Sequence, residues 1–170
     1  MVSTLKPCPG CGAQMPGLDS PTHEYIGASA GCWEAYGRLL EREYGDFRYM
    51  KFHQSNVDAY CCQHPGELSP QSIRSVAVHL VGLHLELETD LPSEKLYAAR
   101  KRVATLGKSG NLVLHWLRPP VSPEWITILD VLDATSLDEH AILGSEWATS
   151  VWNAWTDHHE TIRRWADVTA

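Results

Sequence analysis

Three short stretches in the first third of the chain decide how it folds: CPGCG at residues 8–12, SAGCW at 29–33 and HQSNVDAYCCQHPG at 53–66. Each contains cysteine or histidine, the side chains that most often bind zinc in proteins. Residues 1–27 hold so many Pro and Gly that neither a helix nor a long strand is expected there. The sequence therefore predicts an irregular segment that a metal ion holds against the rest of the protein.

Cys8 and Cys11 have the spacing of a zinc knuckle. Two residues between them let both sulfurs reach one ion, and the adjacent glycines allow backbone N–H groups to approach the sulfurs. In a reducing compartment such a pair indicates metal binding rather than a structural disulfide. Because the chain has no second C-x-x-C, the remaining ligands must be single residues from elsewhere.

Cys32 is the best third ligand. Ser29 can cap a helix, which places Cys32 in the first turn, where free N–H groups favour a thiolate. The fourth ligand stays open among His53, His64, His23, Cys61 and Cys62. A histidine of the 53–64 stretch is favoured, with His64 first and His53 as the alternative. Three thiolates and one histidine would close the site around Zn²⁺, which favours a structural role.

Apolar periodicity and capping residues predict that the rest of the chain is helical. The predicted helices span 29–45, 53–64, 69–88, 93–106 (ended by Gly107), a short one after Thr127, and a long one over 137–166. The prolines Pro119, Pro120 and Pro123 indicate an irregular crossing at 112–123. We expect a single all-α domain over residues 1–170, an antiparallel helical bundle with an irregular zinc-knuckle segment.

The chain holds more histidine and carboxylate than one zinc site needs. His53, Asp58, His79 and His158 are the candidate catalytic residues, for a second metal or for general acid–base chemistry. On the last predicted helix, Trp147, Trp155 and Trp165 share a stripe with His158. This stripe is either a core face or an aromatic wall beside a substrate.

Composition excludes some classes of function. A net charge of -7 argues against nucleic-acid binding, which needs clustered Lys and Arg. No apolar run approaches the ~20 residues of a membrane helix, and no export signal is recognised, so a cytoplasmic location is expected. The partner is then a small-molecule substrate or another protein.

The motifs at 8–12, 29–36 and 53–66, with SVAVHLVGL at 75–83 and WATSVWNAWTDHH at 147–159, resemble a bacterial family of unknown function, DUF5946. The resemblance covers about residues 8–165 and implies no activity. It supports treating these residues as motif positions: Cys8, Cys11, Cys32, His53, Asp58, His64, His79, His158 and His159. A weaker analogy, at the level of fold alone, is to DinB-like bundles, in which histidines on several helices bind a divalent metal.

Two functions follow as hypotheses. The first is a metal-dependent enzyme for a small polar molecule, with its pocket between the 53–64 helix and the Trp-bearing helix. The second is a non-enzymatic helical module with a structural zinc that binds another protein.

Overall fold

The computed structural model describes residues 4–121 and 125–168, which contain a small sheet and seven α-helices. Strands β1 (Leu5–Pro7) and β2 (Gln14–Pro16) pair antiparallel, with Lys6 opposite Met15. The helices are α1 (Ala30–Gly45), α2 (Met50–Gln63), α3 (Pro70–Glu88), α4 (Ser93–Ser109), α5 (Ile128–Leu132), α6 (Leu137–Ala154) and α7 (His159–Asp167). The predicted helical class is confirmed, whereas the short N-terminal hairpin was not predicted.

Side-chain caps begin four of the helices where the sequence placed them. Ser29, Ser69 and Ser136 each accept a hydrogen bond from the backbone N–H three residues later, at 3.3, 3.1 and 3.2 Å. Thr127 forms the predicted capping box with Asp130 before α5. Each cap satisfies an N–H that has no partner within its helix, so these boundaries follow from local sequence.

The end of α4 differs from the prediction. The helix continues past Gly107 to Ser109 and ends at Gly110, whose φ of 78° is the left-handed conformation that glycine adopts without strain. A Cβ atom at Gly107 would lie 2.5 Å from Leu114 Cδ1. Gly107 therefore does not end the helix. Its missing side chain lets the segment that follows α4 pack closely against the helix.

The long helix predicted over 137–166 is two helices. A turn of 3-10 helix at Thr156–His158 separates α6 from α7. The Trp152 carbonyl oxygen accepts two hydrogen bonds, one from the Trp155 backbone N–H at 3.0 Å and one from His159 Nε2 at 2.9 Å. A side chain that takes a carbonyl out of the regular helical ladder is a recognised cause of a bend.

Helix α2 packs against α1, α3 and α6, and α3 also packs against α4 and α7. One cluster of buried apolar residues extends from Cys8 to Ala166. Residues 112–121 form neither helix nor strand, as predicted, and Pro123 lies outside the described residues. No helix in the described part of the chain has the length and apolar character that crossing a membrane requires.

Candidate metal centre

Cys8, Cys11, Cys32 and His64 converge at the junction of the N-terminal segment with α1 and α2. One ligand atom from each lies within 4.8 Å of the other three, and within residues 4–121 and 125–168 no other His, Cys, Asp or Glu group forms such a cluster. The exposed fractions are 2%, 5%, 0% and 0%. The first-choice ligands from the sequence are therefore the residues that the fold brings together.

Backbone geometry shapes the knuckle that carries the first two cysteines. Gly12 has a φ of 77° and donates its N–H to the Cys8 carbonyl, while Cys8 N–H donates to Ala13, both at 2.9 Å. Gly10 lies against His64, since a Cβ there would be 2.4 Å from His64 Cδ2. The glycines of CPGCG thus serve the tight turn and the close approach to α2.

Cys32 enters from the first turn of α1. Its sulfur lies 3.9 Å from Cys11 Sγ and 3.3 Å from His64 Nε2. Tyr60 donates its hydroxyl hydrogen to the same sulfur at 3.7 Å, and Ser29 N–H donates to Cys8 Sγ at 3.4 Å. Donors of this kind stabilise thiolates, and they also orient the ligands.

The histidine is held in the tautomer that binding requires. His64 Nδ1 donates to the Tyr60 carbonyl at 2.7 Å, so the lone pair belongs to Nε2, the atom beside Cys32. His64 caps the C-terminus of α2, and its own carbonyl accepts from Gly27 N–H at 2.9 Å. The end of α2 therefore fixes both the ligand and the segment that leads to α1.

The three thiols change one another's pKa values. Hydrogen bonds from Cys11 and Cys32 lower the pKa of Cys8. The hydrogen bond with Cys32 lowers the pKa of Cys11, but Cys8 and burial outweigh it and raise that pKa to about 12. Hydrogen bonds with Cys11 and Cys8, together with burial, raise the pKa of Cys32. These directions favour one thiolate among the three thiols, and a cluster of this composition could hold a metal cation that stabilises the others.

The alternative fourth ligands lie elsewhere. His53 is eleven residues from His64 on α2, about 16 Å along the axis, and its Nδ1 contacts Glu43 Oε2 at 2.6 Å. His23 packs edge-on against Tyr25, with ring centroids 4.4 Å apart. Cys61 interacts with His79, and Cys62 is buried under Trp155. None of the four belongs to the cluster of sulfur and imidazole ligands.

The four candidate catalytic residues are not gathered in one pocket. Asp58 and His79 are in contact, with Oδ1 and Nδ1 at 2.7 Å. His53 pairs with Glu43 instead, and His158 Nε2 contacts the Arg118 carbonyl oxygen at 2.9 Å. The expected pocket against the Trp-bearing helix is filled, because its tryptophans form the core.

The buried tryptophan N–H groups explain why this face is core and not a substrate wall. Trp147 and Trp155 have no exposed surface. Trp147 donates to Gln63 Oε1 at 2.9 Å and Trp155 to the Cys62 carbonyl at 3.2 Å. Burial of indole rings is favourable when each N–H finds an acceptor, and α2 supplies these two.

Asp58 is the centre of a buried ion network that the sequence did not reveal. Arg100 donates to Asp58 Oδ2 through both Nε (2.8 Å) and Nη2, and Gln54 donates to Oδ1 at 2.9 Å. A Cβ at Gly82 would lie 2.4 Å from Asp58 Oδ2 and 2.5 Å from Arg100 Nε. The glycine in the middle of α3 is the available sequence signal, because it marks a close approach.

Charge in this network holds a proton on His79. Burial lowers the pKa of His79, but the neighbouring Cys61 and Asp58 outweigh burial and raise it to about 10. Asp58 itself has no exposed surface. A protonated His79 would contact a carboxylate and a cysteine sulfur, and such an imidazolium can give a proton but not accept one.

Glu43 is a second buried carboxylate that sequence reasoning missed. It has no exposed surface and accepts from Asn56 Nδ2 at 2.6 Å besides its contact with His53. The burial of Glu43 could have been predicted from the sequence, since Glu43 follows Cys32, Tyr36 and Leu39 at helical spacing on one face of α1.

Comparison with curated proteins and with solved structures found no match. The model of a family of unknown function, DUF5946, matches residues 6–156. That range contains the four clustered ligands and the network around Asp58. On this match, the chain belongs to the DUF5946 family.

Proposed function

We propose that Cys8, Cys11, Cys32 and His64 bind one Zn²⁺, and that the protein is a helical binding module in which this ion is structural. One observation carries the proposal: four soft ligands lie within 4.8 Å of one another and each is at most 5% exposed. Four protein ligands fill the tetrahedral shell of Zn²⁺, which leaves no position for a substrate or a water. A cytoplasmic compartment would keep the three thiols reduced and available for the ion.

The metal would join parts of the chain that are far apart in sequence. Cys8 and Cys11 belong to the irregular segment, Cys32 to α1 and His64 to the end of α2. Trp125 adds a link by donating to the Cys11 carbonyl at 3.0 Å. The ion would therefore fasten the N-terminal segment onto two helices, which is how structural zinc contributes to folding.

The first prediction concerns metal content. Purified protein should contain about one zinc per chain by elemental analysis, and Cys8→Ser with Cys11→Ser should remove it, because two of the four ligands are lost. Cys61→Ser is the matched control, since this buried cysteine lies outside the cluster and the variant should keep its zinc.

Full zinc content in the double variant would show that the metal binds elsewhere. Stoichiometric iron or nickel in place of zinc would contradict the identity of the ion. Loss of zinc from Cys61→Ser as well as from the double variant would indicate general unfolding, so circular dichroism of each variant is measured alongside.

General acid catalysis is the second candidate function, favoured by the contact between Asp58 and His79. Asp58 holds His79 through Nδ1, so Nε2 is the ring nitrogen that would give a proton, and a substrate would compete there with Cys61. Of the four residues first considered, only these two act together. A metal does not enter this alternative, and the zinc proposal does not depend on it.

A further inference from the structure

A groove of about 910 Å³ runs between α4, the C-terminal half of α3 and the end of α7. Its volume is typical of cavities that hold a small molecule. The groove is on the helical part of the protein and shares no residue with the metal cluster. Nothing in the zinc proposal explains it.

The floor of the groove is apolar and buried. Leu85 of α3 is 6% exposed and Ala99 of α4 is 4% exposed, and Leu106 continues the same surface. Ala99 and Leu106 are seven residues apart and so lie on one face of α4. The small side chain of Ala99 makes the groove deeper, and Leu85 and Leu106 make its floor apolar.

The rim of the groove is positively charged, whereas the protein as a whole is negatively charged. Acidic residues outnumber basic ones by 21 to 14 in the chain, yet the groove is lined by three cations, Lys95, Lys101 and Arg102, and one carboxylate, Asp167. Neither lysine forms an ion pair with any residue in the described ranges. Arg102 donates a hydrogen bond to the Val168 carbonyl oxygen, an uncharged acceptor that does not neutralise its positive charge.

We propose that this groove binds a single-chain amphiphile, a molecule with an apolar tail and an anionic head. The tail lies on the floor formed by Leu85, Ala99 and Leu106, where its affinity comes from removing apolar surface from water. The head lies at the rim beside Lys95 and Arg102, which are seven residues apart on one face of α4. The tail supplies most of the affinity and the cations supply the preference for an anion.

Three twelve-carbon probes test the proposal on the intact zinc-loaded protein: dodecanoate, dodecyl phosphate and dodecanol, each below its aggregation concentration. Calorimetric titration should show saturable binding of one molecule of at least one anion per chain. Dodecanol should bind at least about fivefold more weakly, the factor expected for loss of partly exposed ion pairs. The two anions show whether the site prefers a carboxylate or a phosphate.

Charge-reversal variants distinguish binding of the anions in the groove from nonspecific attraction of anions to the whole protein. Lys95→Glu with Arg102→Glu should weaken binding of the anions at least about fivefold and leave dodecanol unchanged. Lys6→Glu with Lys51→Glu is the matched control, because it changes the net charge equally at two exposed positions far from the groove in sequence. Ala98→Trp, which fills the groove without changing charge, should weaken all three probes.

Absence of saturable binding, equal affinity for dodecanol and the anions, or equal effects of the two charge-reversed pairs would each overturn the proposal. Amide chemical-shift changes outside residues 84–106 and 166–168 would also overturn it. Zinc content is measured in every sample, so a failure of the groove is distinguished from a failure of the metal centre.

Discussion

At the scale of single residues, the hydrogen-bond partner of one ring nitrogen determines the chemistry that a histidine side chain can perform. His64 presents Nε2 to the sulfurs because its Nδ1 already donates to Tyr60. His79 uses the same nitrogen, Nδ1, but its partner is the Asp58 carboxylate and not a neutral carbonyl. The same residue type is a candidate metal ligand in one place and has a raised pKa in the other, and the charge of the partner decides which.

The raised pKa of His79 gives a prediction about pH. The folded pKa of about 10 exceeds the unfolded value of about 6.5, so the folded state holds a proton that the unfolded state has lost between these values. This contribution to the free energy of unfolding is fully present below about pH 6.5 and is lost as the pH rises towards about 10. An NMR titration of the His79 ring should therefore find it charged at pH 7.

Asp58→Asn should lower the pKa of His79 towards its ordinary value, because the neutral amide no longer favours the imidazolium. Asp46→Asn is the control, since that exposed carboxylate pairs with Arg48 and not with a histidine. A His79 ring that is neutral at pH 7 in the unmodified protein would contradict the expected pKa and remove the general acid from the second candidate function.

At the scale of elements, α2 organises the molecule. Its C-terminal end supplies His64 and its middle supplies Asp58. The Gln63 side-chain oxygen and the Cys62 carbonyl in its last turn accept the indole N–H groups of Trp147 in α6 and of Trp155, which follows α6. Helix α3 crosses beside Asp58 at Gly82, where the absent side chain makes room for Arg100 to reach across from α4. Helix–helix contact at this point is therefore made through charges rather than apolar side chains.

Gly82→Ala should destabilise the protein by about 3 kcal/mol, the range expected for breaking a buried ion pair or for overfilling a core. The new methyl group would collide with both Asp58 and Arg100. Gly37→Ala is the matched control in α1, where a Cβ would meet nothing within 4 Å among the described residues. That control should raise the free energy of unfolding by about 0.5–1 kcal/mol. Denaturant unfolding measures both, and equal effects would show that the crossing tolerates a side chain.

At the scale of the whole molecule, two parts are held by different forces. The helices bury tryptophan and aliphatic side chains in α3, α6 and α7. Besides the cysteines, the N-terminal segment has two three-residue strands, the buried side chains Ala13, Met15, Ile26 and Ala28, and an isolated bridge between Ile26 and Pro65. So short a hairpin is not stable on its own, so the segment depends on the cluster that joins it to α1 and α2.

Removal of the metal should therefore release the segment and leave the helices folded. With a strong chelator and a reductant, amide hydrogen exchange in residues 5–28 should accelerate at least about tenfold, while α3 and α6 keep their protection. Chelator saturated with zinc beforehand is the control. Simultaneous loss of protection in the segment and the helices, or no change in either, would contradict the division into two parts.

The sequence by itself determined the features that depend on near neighbours. The caps at Ser29, Ser69 and Ser136 act within three residues, and the Cys8–Cys11 pair needs only two residues between its members. Helical class, several helix starts and three of the four clustered residues were predictable for that reason. For the fourth ligand, the sequence favoured a histidine of the 53–64 stretch, with His64 first and His53 as the alternative.

Only the tertiary structure decided which distant groups meet. Asp58 and Arg100 are 42 residues apart and Trp147 lies 84 residues from Gln63, so no local pattern could pair them. The exclusion of His53 and the groove beside α4 have the same origin. Each depends on where whole helices cross, and crossing positions are determined by packing between surfaces that the chain brings together only when it folds.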